Sequence, residues 1–153
     1  MSATHDAFQV ELVVDQVSEL EGARQDLEEA GATKVHVPDD GGQDILPILV
    51  VIGVIAGITA LADLVMRIRA KTSCQEIIDA RDGKVKISKN CDFKDGKIIV
   101  ISGDDQKVEV HDVPDGFDVT KVVEAALKGG ADAVKAAAEA AGAKATDPKP
   151  AAG

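Results

Sequence analysis

The hydrophobic positions of this chain change rhythm three times, and each rhythm predicts a different element. Residues 8–14 (FQVELVV) alternate and are rich in β-branched side chains, the pattern of a strand. Val17, Leu20, Ala23, Leu27 and Ala30 then recur at three- and four-residue spacing, the apolar stripe of an amphipathic helix that Asp15 or Ser18 can cap. Gly31 follows the last of them, where a left-handed residue ends helices. TKVHV at 33–37 reads as a second strand. These pieces make a β-α-β unit whose strands are parallel neighbours if the helix forms the crossover. A turn-rich connection, PDDGGQD at 38–44, closes this first stretch.

The second rhythm is no rhythm. Between Asp44 and Asp63 lie eighteen residues without a charge, ILPILVVIGVIAGITALA. As a helix this run is about 27 Å long, close to the thickness of a bilayer's hydrocarbon core. Pro47 would fall in its first turn, where proline is tolerated. Beyond Asp63 an apolar stripe of Leu61, Leu64, Val65 and Ile68 continues against a polar side, which extends the expected helix through residues 45–71. A helix apolar on every face must lie in lipid, in an assembly or against a partner. Ile48, Val51, Ile52, Gly53, Ile55, Gly57, Ile58, Leu61 and Leu64 are the expected contact residues, with Gly53 and Gly57 forming a GxxxG groove where a second backbone can approach. Arg67, Arg69 and Lys71 form a basic flank that also complements the helix dipole.

From Cys74 the pattern is β again. CQEIIDA, KVKIS (84–88), KIIVIS (97–102) and KVEVH (107–111) are short strands, and the Asp82-Gly83, Asp95-Gly96 and Gly103-Asp104 turns predict an antiparallel meander. Asp115 or Asp118 caps a helix over 119–128, with Val119, Val122, Val123, Ala126 and Leu127 inward. Residues 131–143 are nearly all Ala with Lys and Glu; Ala gives helix propensity but little burial, so a frayed helix and a disordered tail are expected over 131–153. The expected fold is α+β, a ferredoxin-like or related sheet. An acidic β-α-β half (1–44) and a meander with helix (72–130) complete one domain around the apolar helix.

Charge narrows the function. Net charge is −10, and residues 1–44 hold eleven carboxylates against Arg24 and Lys34. Acidity of this degree, with three Phe and no Tyr or Trp, argues against a nucleic-acid surface. The opening MSATHDAFQVELVV is polar and acidic, so no secretory signal is expected and the chain is placed in the cytoplasm, with membrane association open. Cys74 and Cys91 lack a CxxC spacing or a nearby His pair, so zinc is not expected; reduced thiols are, although a bridge is geometrically open. His5, His36 and His111 form no recognisable catalytic pattern, and no phosphate- or dinucleotide-binding glycine motif occurs. No catalytic residue, metal or cofactor is expected.

The order of parts resembles the effector-associated constant component family of bacterial conflict systems. The matching stretches are FQVELVV with SELEGARQDLEEAG, VIGVIAGITALADLVMRIRAK, DGKVKIS and VTKVVEAAL, within residues 8–128. NCDFKDGKIIVISGDDQ lengthens the β region relative to that family, and the Ala-rich tail has no counterpart in it. The resemblance implies a non-enzymatic component that works beside an effector such as a protease or an NTPase-regulated toxin. Together with the apolar run, it sets the expectation of an adaptor or scaffold that forms a homo-oligomer or docks an effector. The alternative is a small membrane protein whose helix anchors in or perforates a bilayer.

Overall fold

The computed structural model describes residues 7–38 and 49–151. They form a mixed α+β fold: one sheet of nine strands with four helices. The first half contains β1 (Ala7–Val14), α1 (Leu20–Glu29), β2 (Thr33–His36), β3 (Leu49–Ala56) and α2 (Ile58–Ala70). The second contains β4 (Gln75–Asp79), β5 (Lys84–Asn90), β6 (Ile98–Ile101), β7 (Gln106–His111), α3 (Thr120–Lys128), α4 (Ala131–Ala140), β8 (Lys144–Ala145) and β9 (Lys149–Pro150).

The apolar run is not one helix. Residues 49–56 are a strand, and the helix starts only after Gly57; positions 45–48 lie outside the described residues. The composition within the run explains the split. Val50, Val51, Ile52, Val54 and Ile55 are β-branched, whereas Ala60, Leu61, Ala62, Leu64 and Met66 are good helix formers. Gly57 makes the corner at φ 93° and ψ 149°, a backbone region open essentially to glycine alone. A continuous apolar run has no period by which to tell a buried strand from a buried helix. Among the described residues no helix is long and apolar enough to cross a membrane.

Strand order is β2-β3-β1-β5-β4-β6-β7-β8, with β9 also pairing β7. The strands of the first β-α-β unit are therefore not neighbours: β3 lies between β1 and β2, antiparallel to both. A ferredoxin-like sheet would place the strand after α2 antiparallel beside β1. Here β5 takes that place, parallel to β1, and β4 lies one position farther out. The expected meander is also rearranged. β4–β5 and β6–β7 are antiparallel pairs, but β6 pairs with β4 in parallel, so residues 91–97 cross the start of β4 to reach its other side.

Every strand from β1 to β7 except the β2 edge turns one row of apolar residues inward, among them Val10, Leu12, Val51, Ile55, Ile78, Val85, Ile87, Ile98, Val100, Val108 and Val110. The helices form a single layer over that row, α1 against α2, α2 against α3 and α3 against α4. They contribute Leu27, Leu61, Leu64, Val65, Val122, Val123 and Val134 to the core. The Ala-rich tail belongs to the fold. Ala131, Val134 and Ala138 of α4 are buried, because small side chains let α4 approach α3 closely, and β8 and β9 finish the sheet on β7.

Candidate functional site

The expected contact residues separate into two groups. Val51, Gly53 and Ile55 face the helix layer and are buried; Leu61 and Leu64 are fully buried on α2, and Ile58 packs partly against the same core. Ile52 alone among the expected β3 residues points to the other face of the sheet, and Ile48 lies outside the described residues. The GxxxG pair is not a helix-packing groove. A Cβ at Gly53 would lie 3.3 Å from both Ala32 and Val35, so this glycine makes room for the α1–β2 connection, while Gly57 is the corner.

The basic flank is likewise occupied within the chain. Arg67 pairs with Asp63 at 2.7 Å and Glu29 at 3.0 Å. Arg69 donates through Nη1 to the Gly96 carbonyl at 2.8 Å, holding the crossing loop, and Lys71 pairs with Asp26 at 2.5 Å.

The strand alternation that buries Val51 and Ile55 leaves the opposite face of the sheet without a helix over it among the described residues. Two apolar patches lie there, half-buried. Val50, Ile52 and Val54 of β3 stand beside Val13 of β1, and Ile77 of β4 beside Ile99 and Ile101 of β6. Between and beside them are Lys84, Lys86 and Lys107 and the carboxylates Glu11, Asp79 and Glu109. Lys149 opposite Lys107 and Lys144 opposite His111 lie on the same side, so this face carries more lysines than carboxylates in a chain of net charge −10. Periodicity read as a helix hid it, because the outward row of β3 appears only once residues 49–56 are a strand.

On the helix side, a cavity of about 280 Å³ opens where the C-terminal ends of the parallel strands β1 and β5 meet α1 and the end of α2. Leu12, Ala23, Ile68 and Ile87 give it an apolar floor, and the ion pairs Asp26–Lys71 and Glu19–Lys89 stand at its wall. The Lys89 ammonium, at 2.8 Å, holds the Glu19 carboxyl below its ordinary range.

Glu76 is the least expected residue of the core. Only 1% of its surface is exposed, and neither carboxyl oxygen has a hydrogen-bond partner among the described residues. Burial pushes its pKa up to about 8, against a smaller opposing pull from the Arg69 charge. It is therefore a neutral acid at pH 7. Strand alternation in CQEIIDA, with Ile78 inward, was the available sequence signal for its inward placement.

Cys74 and Cys91 form a disulfide, contrary to the expected free thiols. His36 and His111 lie on strands near opposite ends of the sheet order, His36 with Nδ1 against the Lys34 carbonyl and His111 beside Asp112. No group of three or more His, Cys, Asp or Glu is arranged to hold a metal among the described residues. Comparison with protein-family models, with curated proteins and with solved structures finds no match.

Proposed function

We propose that this chain is a non-enzymatic adaptor or scaffold that self-assembles through the uncovered face of its sheet. One observation carries the reading: among the described residues a nine-stranded sheet has its helices on one side, and the other side presents two patches of Val and Ile. Sheets pack face to face about 10 Å apart through such rows. The occupant assigned is a second copy of this chain. Two copies of an acidic chain repel at long range, and a face on which Lys84, Lys86, Lys107, Lys144 and Lys149 offset the carboxylates opposes that repulsion. An effector protein, as the family resemblance implies, would then act beside the assembly.

The apolar run keeps its role in contact but exerts it differently. Its inward half builds the core, and Val50, Ile52 and Val54 supply the contact. The membrane alternative rested on a continuous helix through this run, and the described residues of the run are a strand and a helix. The disulfide also bears on location: such bridges persist in oxidising compartments and are rare in the cytosol, which weighs against the cytoplasmic placement expected from the sequence.

The test is light scattering after size-exclusion chromatography without detergent, over a wide range of protein concentration. The wild type is expected to exceed monomer mass, and Ile52→Asp with Ile99→Asp to be a folded monomer. A wild type that remains a monomer at every concentration overturns the proposal.

A further inference from the structure

The cavity between α1 and the end of α2 has an unusual charge arrangement, independent of the open sheet face. Its most buried charged side chain is Asp26, 9% exposed, on the core side of α1. Among the described residues the direct hydrogen-bond partner of that carboxylate is the ammonium of Lys71, at 2.5 Å, with the Arg67 charge acting from farther off, and the Lys71 side chain is 61% exposed. A buried carboxylate is thus satisfied by a long, solvated arm that can swing away, and losing a partner so exposed changes little for the lysine itself. The second pair at the wall is different: Lys89 and Glu19 are both largely covered, and Glu19 is further held by the backbone N–H groups of Asp15 and Gln16.

Gly22 adds a second observation. It lies within α1 and lines the cavity, a Cβ there would meet nothing within 4 Å, and its backbone is not in the left-handed region. Neither packing nor conformation requires glycine, which weakens a helix at this position. What the missing side chain does provide is an open cavity.

We propose that this cavity is a binding site for a primary alkylammonium group. The ligand's ammonium would replace that of Lys71 on Asp26, and an aliphatic body of about four to six carbons would lie on Leu12, Ala23, Ile68 and Ile87. Lys71 would move into solvent as the ligand enters. The net charge of −10 raises the local concentration of such cations. This chemistry is presented both by free aliphatic amines and by the lysine side chain of a protein.

The experiment titrates the full chain with n-pentylamine and follows the methyl resonances of Leu12, Ile68 and Ile87. Saturable shifts are expected with the amine, and none with n-pentanol or valerate, which have a similar body and the wrong head group. Equal effects from n-pentanol or valerate on the wild type overturn the proposal without any variant. Lys71→Ala removes the internal competitor and should bind the amine about tenfold tighter. Should that variant unfold, adding the amine should restore its fold. Unchanged affinity in a folded Lys71→Ala, or no rescue of an unfolded one, refutes the exchange. Asp26→Asn and Gly22→Phe should lose the saturable shifts, whereas Gly22→Ala should keep them; full retention in Asp26→Asn refutes the site. Titration with cadaverine and with Nα-acetyl-lysine amide separates the two sources, and tighter binding by either names it.

Discussion

Cys74 and Cys91 stand directly opposite each other, one residue past the paired ends Gln75 and Asn90 of β4 and β5. Their Cα atoms are 4.6 Å apart, the separation of a non-hydrogen-bonded antiparallel pair. The bridge is therefore one more cross-strand rung, set where the chain leaves β5 to cross the start of β4. Backbone bonds close the same crossing: Gln75 N–H donates to Phe93 O, Glu76 N–H to Lys97 O and Gly96 N–H to Ser73 O.

Loss of this bridge should be felt mainly as loss of stability. Closing a loop of sequence separation 17 restricts the unfolded chain, and such bridges contribute about 3 kcal/mol. Cys74→Ser with Cys91→Ser should lower the denaturation midpoint accordingly, and a reductant should have the same effect on the wild type but none on the variant. Denaturant titration with and without dithiothreitol measures both.

Glu76 makes stability fall with pH across the neutral range. Its folded pKa is about 8 and its ordinary value 4.5, so between those values the unfolded chain releases a proton that the folded chain retains. The contribution is fully present below pH 4.5 and is lost as pH rises to about 8, beyond which the effect levels off. Glu76→Gln keeps the shape of the neutral acid and cannot ionise. It should match the wild type near pH 4.5 and exceed it by a few kcal/mol at pH 8, each pH unit of the interval being worth about 1.4 kcal/mol at most. Chemical denaturation at a series of pH values would show a flatter profile for the variant; parallel profiles would contradict the buried neutral acid.

Gly57 fixes where the apolar run changes from strand to helix. Its φ of 93° with ψ of 149° is poorly accessible to a residue with a Cβ, at a cost of about 1–3 kcal/mol. Gly57→Ala should lower the melting temperature although nothing lies within 4 Å of the new methyl group. Gly53→Ile should be worse for a different reason, because its side chain would drive into Ala32, Val35 and Leu27. Both effects should appear in the monomeric state, whatever the assembly does, and calorimetry on dilute protein distinguishes them from loss of an oligomer.

Asp104 ties the β6–β7 turn to α4. Ser102 donates to it, and it accepts the Ala131 N–H at 3.1 Å in the first turn of α4. The Ser102 hydrogen bond, followed by that of Ala131, holds the Asp104 carboxyl below its usual range. Its stabilising contribution is present above the ordinary aspartate pKa and is lost as pH falls through the depressed one. Asp104→Ala should destabilise by about 1 kcal/mol at pH 7 and by less in strong acid. Thermal melts at the two pH values test this.

Local pattern was enough to place β1, α1, β2, most of the later strands and α3, because β1 and β7 run at a period of two to an Asp, α1 and α3 at three to four to a Gly, and β2 lies between Gly31 and Pro38. Asp118 does accept the Thr120 N–H at the start of α3, and Gly31 does take a positive φ after α1. Periodicity failed where every position is apolar. By period, residues 49–62 fit strand and helix equally; the β-branched run to Ile55 favours a strand, and its pairing with β1 and β2 fixes it. That one choice moves Val50, Ile52 and Val54 onto an open face and turns a supposed helix groove into a packing gap and a corner.

Sequence alone thus determined what is local and short-ranged here: the acidic balance, the amphipathic stripes, the turns and the residue types available for a core. Tertiary structure decided what depends on residues far apart in the chain. It set the strand order, which puts β5 rather than β4 beside β1, and the register that brings Cys74 opposite Cys91. It buried the Ala-rich tail against α3 and sealed Glu76 away from water. The physical reason is common to all four. A side chain's period tells which way it points, but what it meets is decided by the strand or helix that arrives beside it.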